Sequence, residues 1–537
     1  MPRAEHELYP DFSAEIRAIE ENGISDALLN HIIDKHRDNA DYNRSLHKRY
    51  EALDGKVPIF EREPRFDEDN PINNKVNNDF MGEIVDFKTG YFAGKPAVYT
   101  YADTTESEED TGGEAARDAA SKKLSDFVAL NNMYDIDMDV TKFAAIAGYA
   151  GRMFYFDIDG NERVMALPSY ETIILSETNI TEPKYGIRYY KTNDLSGSEI
   201  WCAEFDDGET IRFYEGSFLG FKEIPEKAIP NLFGYCAIQG IPNNSEMLGD
   251  VEKVMELIDA YDRATSDINN EVESFANAYM AFENVDMQEE EIRRGQKTGA
   301  FQYFTAGSES GGIHFITKDI NDAFVEHHLD RLEENIYRFS KTPNMADENF
   351  SQNSSGVAMK FKLTGLETKC GMFQAKMISA GVYMFRLLAS SWAKKQIACD
   401  PLQCYISFKR NFPVDVQSEA AAVSAMISSG MPQRKAFEQY SFIDDVEEVM
   451  QMLEEEQNDI APLYTPDEDI EDDEELAEET TDSTTHLNGA QISALLSIVK
   501  EYKAGMLTRN AALSIVSGTL GVSKETAESI FEEQVQS

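Results

Sequence analysis

The chain has 537 residues, with 98 Asp and Glu against 49 Lys and Arg, giving a formal charge of −49. The length suggests about three or four domains, and a composition of 42% hydrophobic and 11% aromatic residues excludes a disordered polypeptide. A chain this acidic is a poor candidate for a conventional nucleic-acid binder, which meets phosphate with lysine and arginine, although it could handle DNA without gripping it.

Residues 1–50 are polar and helical in pattern. From Asn74 to Lys88, Val76, Phe80, Ile84 and Phe87 recur at helical spacing, and Gly90 is available as a C-cap. Tyr91-Phe92 and Ala97–Tyr99 flank Gly94-Lys95-Pro96, which predicts extended chain around a turn. Residues 103–118 read as an acidic loop or hairpin tip. Between Arg152 and Phe221 short apolar runs flank Asp159-Gly160 and Asp207-Gly208; Asp-Gly between such runs is a strong hairpin signal, so an antiparallel β-rich unit is predicted.

Ser245 can cap a long helix in which Val251, Met255, Ile258, Tyr261, Ile268, Val272, Phe275 and Tyr279 recur at three- and four-residue steps, reaching about residue 282. Residues 284–316 are mixed and carry the cluster Glu289, Glu290, Glu291, Ile292, Arg293, Arg294. A second helix is predicted from Asp319 to about Lys341, stopped by Pro343, and a third from Gly356 to about Gln396. Its most apolar stretch, Gly371–Ala393, is interrupted by Gln374, Lys376 and Arg386 and reads as a buried helix, not a membrane span. Three long helices separated by specialised loops suggest a rod, a bundle or a ring wall.

A strand, Cys404–Phe408, precedes short helices over 417–457, the last being Asp444–Glu456. Ten of the thirteen residues Asp467–Glu479 are acidic, and Ala461–His486 holds no Lys or Arg, so 461–486 reads as a disordered linker. Residues 487–537 then read as a small tethered module of three short helices. Cys202, Cys236, Cys370, Cys399 and Cys404 form no CxxC and read as reduced thiols in a cytosolic setting. The N-terminal sequence lacks the apolar core of a signal peptide. Together these predict a soluble protein, intracellular when made.

Signatures of catalysis are missing. Gly90–Pro96 has three residues between Gly90 and Gly94 where a phosphate loop needs four, and Pro96 stands where Ser or Thr must reach magnesium. Asp135, Asp137 and Asp139 begin like a calcium loop, but Val140 and Ile146 replace its glycine and bidentate glutamate, which favours a solvated turn. His327 and His328 are adjacent, about 100° apart on a helix, unlike a metalloprotease pair. No GxSxG occurs. No catalytic residue, metal site or cofactor is expected.

Three stretches are more specific. Asn73–Tyr101 (NNKVNNDFMGEIVDFKTGYFAGKPAVYTY), Tyr261–Met280 (YDRATSDINNEVESFANAYM) and Ser354–Cys370 (SSGVAMKFKLTGLETKC) resemble, in order and spacing, the portal proteins of long-tailed bacteriophages of Gram-positive hosts, and Gly430–Glu456 resembles that family's following helical region. The resemblance covers about residues 45–460. It implies an α+β, mainly helical portal fold with wing, stem, clip and crown, assembled as a ring of about twelve subunits at one capsid vertex. By that analogy residues 1–245 are wing, 246–283 a stem helix, 284–316 the clip, 317–342 the second stem helix and 343–356 the tunnel loop. Residues 357–416 are then the tunnel helix with its returning strand, and 417–460 the crown.

The implied partners are further copies of the chain, the terminase large subunit, a head-completion adaptor, the major capsid and scaffolding proteins, and duplex DNA passing without sequence specificity. The implied location is the virion, after assembly in the host cytoplasm, with no membrane. A negative wall would repel phosphate and let DNA slide, where a basic one would trap it.

Lys362, Lys369 and Lys376, seven residues apart, fall nearly on one helical face and would either touch DNA as rings or ion-pair with acidic neighbours between subunits. Asn344, Asp347, Glu348 and Asn353 in the tunnel loop would meet DNA sterically or through polar contacts. Glu289, Glu290, Glu291, Arg293 and Arg294 in the clip would pair between subunits, dock the motor, or form a solvated face. The rival classes are a minor capsid or scaffold-type structural protein and a DNA-processing enzyme.

Overall fold

The computed structural model describes residues 3–53, 55–64, 72–101, 111–217, 220–276, 279–283, 285–286, 288–298, 304–305, 312–316, 322–345, 361–412 and 416–437, with isolated residues between 439 and 453. The chain forms two units, Met1–Leu453 and Glu454–Ser537. Every described residue belongs to the first, so the acidic linker 461–486 and the helical module 487–537 lie outside the described residues, as does most of the helix expected over Asp444–Glu456.

Helix α1 (Ser13–Asn22) ends at Gly23, and α2 (Asp26–Tyr50) begins on Ser25, whose hydroxyl accepts the Leu28 N–H. Helix α3 spans Phe80–Ala93, starting six residues later than the apolar spacing predicted and running through Gly90 to include Tyr91 and Phe92. Asp79 caps it by accepting the Gly82 N–H at 3.0 Å. Strand β1 (Val98–Tyr101) follows. Helix α4 (Thr111–Asn131) occupies part of the segment expected to be a loop tip. Helix α5 (Met133–Ala147) carries Asp135, Asp137 and Asp139, so this run is helical and not a solvated turn.

The expected β-rich unit is present. Strands β2 (Tyr149–Phe156) and β3 (Glu162–Pro168) pair as a hairpin in the register Met153↔Met165. Strands β4 (Thr172–Leu175), β5 (Tyr185–Asn193), β6 (Glu199–Asp206), β7 (Thr210–Ser217) and β8 (Gly220–Glu223) form an antiparallel meander; β9 (Ile229–Pro230) adds to β7, and β10 (Ile238–Pro242) pairs with β2. Both Asp-Gly turns sit where expected, with φ of +78° at Gly160 and +87° at Gly208. Helices α1 and α2 cover one face of the meander, burying Ile16, Leu29 and Ile32 against Ile173, Ile187 and Phe205.

Helix α6 spans Met255–Ala276, shorter at both ends than predicted. Residues ahead of it are held in turns: the Asn244 side chain accepts the Leu248 N–H at 3.0 Å, and Met247 has φ +51°. Beyond it, Tyr279–Glu283 is strand β11, drawn into antiparallel pairing with a later strand. There follow β12 (Val285–Asp286), α7 (Glu289–Thr298), β13 (Phe304–Thr305), β14 (Gly312–Ile316) and α8 (Asp322–Ser340). Helix α9 (Thr364–Lys394) buries Phe373, Met377, Met384, Leu388 and Trp392, as its apolar stretch predicted. Strand β15 (Cys404–Ser407) pairs with β1, and α10 (Val416–Ser428) and α11 (Gln433–Phe437) complete the described part. No described helix is long and apolar enough to cross a membrane.

Candidate functional site

Helices α6 and α8 make an antiparallel hairpin. Ile258, early in α6, shares a core with Ile336 and Tyr337, late in α8, while at the other end β11 pairs with β14. At 1.5 Å per residue the 22 residues of α6 reach about 33 Å. The result is a stalk with a small tip built from β11·β14, β12·β13 and α7. Phe80 of α3 wedges into the stalk's base, edge-on to Tyr261 and to Tyr337 at 5.0 and 5.8 Å between ring centres. The Tyr337 hydroxyl donates to Glu83 at 2.7 Å.

The chain ahead of α3 explains its late start. Residues 74, 76 and 78 are extended along α6, and their backbone N–H groups donate to Asn270 Oδ1 (2.7 Å), Ser266 Oγ (2.9 Å) and Asp262 Oδ1 (2.9 Å). Two residues of strand advance about 6.6 Å and four residues of helix about 6.0 Å, so alternate amides of the strap meet every fourth side chain of α6. Asp262 and Ser266 are fully buried. Asn78 also gives its side-chain amide to Asp262 at 2.8 Å and Thr265 at 3.0 Å. A helix over 74–79 would turn these donors away from their acceptors.

A charged hub lies beside this strap. Asp250, in the turn before α6, sits between two ammoniums: Lys88 of α3 at 2.9 Å and Lys369 of α9 at 3.4 Å. Lys88 is fully buried, donates to the Asn243 side-chain oxygen and lies 4.7 Å from the Phe373 ring centre. Lys369 donates to the Ser340 carbonyl at the end of α8 at 2.9 Å. Burial alone would raise the Asp250 pKa, but the two ammoniums outweigh it and hold the carboxyl below its ordinary range. Lys369 is pulled down, first by burial and then by Lys88, with Asp250 opposing. The asymmetry has a simple cause: one carboxylate is flanked by two cations, whereas Lys369 has one carboxylate and a like charge nearby. The hub therefore joins α3, the base of α6, the end of α8 and α9.

A second buried network pins the sheets to α9. Arg152 of β2 lies 3.8 Å from Asp137 and donates to Gln239 of β10, whose amide reaches the Ala380 carbonyl of α9 at 3.1 Å. Burial raises Asp137 to about 6, against the pull of Arg152 and the hydrogen bond from Tyr99. Among the described residues no cluster of three His, Cys, Asp or Glu side chains is placed to hold a metal ion.

The three sequence stretches singled out above supply the strap, most of α6 and two of the hub's three charged residues, Lys88 and Lys369, and similarity to known proteins covers all three. Residues 29–463 match the family of phage portal proteins described as SPP1 Gp6-like. The chain belongs to that portal family. It is 21% identical over 441 residues to the portal protein of Bacillus phage SPP1, spanning 76% of this chain and 82% of the relative. It is 22% identical over 416 residues to the portal protein of Clostridium phage phiCD119, spanning 72% of this chain and 87% of the relative.

Within this portal-family chain the sequence-predicted residues do not form one cluster. Lys369 is inside the hub, its side chain 12% exposed, so in this fold its ammonium faces Asp250 and not open solvent. Lys362 is exposed and precedes the first residue of α9. Lys376 is half-buried and lines a cavity of about 300 Å³ with Tyr9, Ile180 and Pro242. Asn344 is tied to α8, donating to Glu333 at 2.7 Å; Asp347, Glu348 and Asn353 lie outside the described residues. Glu289, Glu290, Glu291, Arg293 and Arg294 occupy the first turns of α7 in the tip. Arg293 reaches back one turn to Glu289 at 2.6 Å with both side chains about three-quarters exposed.

The sequence offered no handle on Lys88, Asp250, Asp262 or Ser266. The paired asparagines Asn73-Asn74 and Asn77-Asn78 were a usable signal, since Asn favours turns and caps over helix interiors.

Proposed function

We propose that this chain forms a closed ring of about twelve copies at one vertex of a phage capsid. Duplex DNA enters through the ring during packaging and leaves through it at ejection. The ring nucleates procapsid assembly with coat and scaffolding proteins, then docks the terminase large subunit and later a head-completion adaptor. On this reading α6 and α8 are the stem, 284–316 the clip, α9 the tunnel helix and 1–245 the wing. Residues 417–460 make the crown, and 343–356 the loop that meets DNA, with Lys362 and Lys376 offered to phosphate.

The observation that carries the proposal is the stalk and tip held on a large α+β body within a chain of the portal family. A monomer leaves apolar side chains of the stalk in water: Val272 is 62% exposed, Phe324 70% and Phe339 53%. Packing between copies would remove that surface from solvent. The charge of −49 per copy suits a conduit along which phosphate slides.

Native mass spectrometry of the full chain tests the assembly. The expected species has about twelve times the 60.5 kDa chain mass. A chain that stays monomeric at the highest soluble concentration, or that forms a ladder of open oligomers, contradicts the proposal and favours the minor-capsid alternative. Shortening residues 284–316 should abolish terminase binding while the ring persists.

A further inference from the structure

Of the five cysteines, none of them disulfide-bonded, two lie against each other. Cys399 and Cys404 have their sulfur atoms 3.8 Å apart across a five-residue step. Each is positioned by a different element. Cys399 follows the end of α9, where Ile397 donates its N–H to the Trp392 carbonyl at 3.0 Å and Trp392 is itself buried. Cys404 is the first residue of β15, opposite Tyr101 in the β1·β15 ladder. Between them Asp400 caps a single 3₁₀ turn, Pro401–Gln403, accepting the Leu402 N–H at 3.0 Å. Cys399 is partly buried and Cys404 buried, so Cys399 is the more accessible of the two.

We propose that Cys399 and Cys404 form a thiol pair that closes to an intramolecular disulfide on meeting a low-molecular-weight disulfide. The Cys399 thiolate attacks one sulfur of the reagent R–S–S–R, forming a mixed disulfide and releasing one thiolate RS⁻. Cys404 then loses its proton, and its sulfur attacks that of Cys399, expelling the second RS⁻. Two protein thiols are oxidised to one disulfide, and the reagent is reduced to two thiols. The order of attack follows from exposure, because the buried Cys404 is the less accessible of the two thiols. The closed bridge would join the end of α9 to the β1·β15 ladder. Reducing cytoplasm keeps the pair open, and a medium rich in disulfides closes it.

Equilibration of the full chain with oxidised glutathione tests this directly. Both cysteines fall in one tryptic peptide, residues 396–409. After trapping of remaining thiols by alkylation and digestion without reductant, that peptide should be lighter than its reduced, unalkylated form by two hydrogens. Cys404→Ser should instead leave a glutathione mixed disulfide on Cys399, and Cys399→Ser should leave Cys404 alkylatable. Both thiols alkylated in the parent chain would overturn the proposal, as would a glutathione adduct persisting on either sulfur there. Circular dichroism of each variant before treatment separates a lost pair from a lost fold.

Discussion

Asp250→Asn is the sharpest probe of the hub, because it preserves shape and removes the single negative charge between Lys88 and Lys369. At an effective dielectric constant of about 20, contacts of 2.9 and 3.4 Å are each worth about 5–6 kcal/mol. Desolvation of the carboxylate offsets several kcal/mol of that, and breaking one buried pair typically costs about 3–5 kcal/mol. Urea unfolding followed by tryptophan fluorescence, at fixed chain concentration, should therefore show a loss of about 3–5 kcal/mol for Asp250→Asn.

Lys88→Met should cost less, since Asp250 keeps Lys369, and the double variant should lose less than the sum of the two. The pH dependence has a defined sign. Because Asp250 is held below its ordinary value of 3.8, its contribution is present above that pH and disappears as pH falls through the lower folded value. An Asp250→Asn chain within about 0.5 kcal/mol of the parent would refute the hub as the joint between stalk and body.

Asn78→Asp places a second carboxylate against buried Asp262 and should cost about 2 kcal/mol or more in the same urea assay, detaching the strap from α6. His36, held between the Tyr149 and Tyr189 hydroxyls, is lowered by burial to about 3. The unfolded chain therefore binds the extra proton between about pH 3 and 6.5, and acidification from pH 6.5 to pH 5 should remove about 2 kcal/mol that His36→Gln does not lose. Gly148 has φ +89°, and a Cβ there would stand 2.0 Å from the Met247 carbonyl oxygen. Gly148→Ala should cost more than about 1 kcal/mol by the same measurement. Arg293→Ala, in an exposed pair, should leave the urea midpoint unchanged, so any loss of terminase binding it causes in pull-down would report the docking face.

Elements governed by local chemistry were legible in the sequence. The Asp-Gly hairpins, α2, α8 with its stop before Pro343, and the buried stretch of α9 follow from turn residues and apolar period. What was not legible depends on partners distant in the chain. Val76 and Phe80 share helical spacing, yet Val76 stays outside the helix because its amide is taken by Ser266. Tyr279 continues the period of α6 but pairs with Ile316 of β14 instead. Asp137 belongs to a run that resembles an exposed turn, and only the fold puts Arg152 and Tyr99 beside it.

The lysine series shows the same limit at the candidate site. Seven-residue spacing put Lys369 and Lys376 on nearly one face, but the neighbours of that face change along α9. Lys369 finds Asp250, 119 positions earlier, and Lys376 faces a cavity lined by residues from the start of the chain. The family resemblance was readable because it rests on runs of residues. The hub was hidden, because Lys88, Asp250 and Lys369 carry no mark of their meeting.

Single-particle electron microscopy of the purified full-length chain tests the portal proposal most directly. The expected particle is a closed ring of about twelve subunits with an axial channel wide enough for duplex DNA and the α6–α8 stalks gathered around it. A monomer, or an assembly without a central channel, would contradict it.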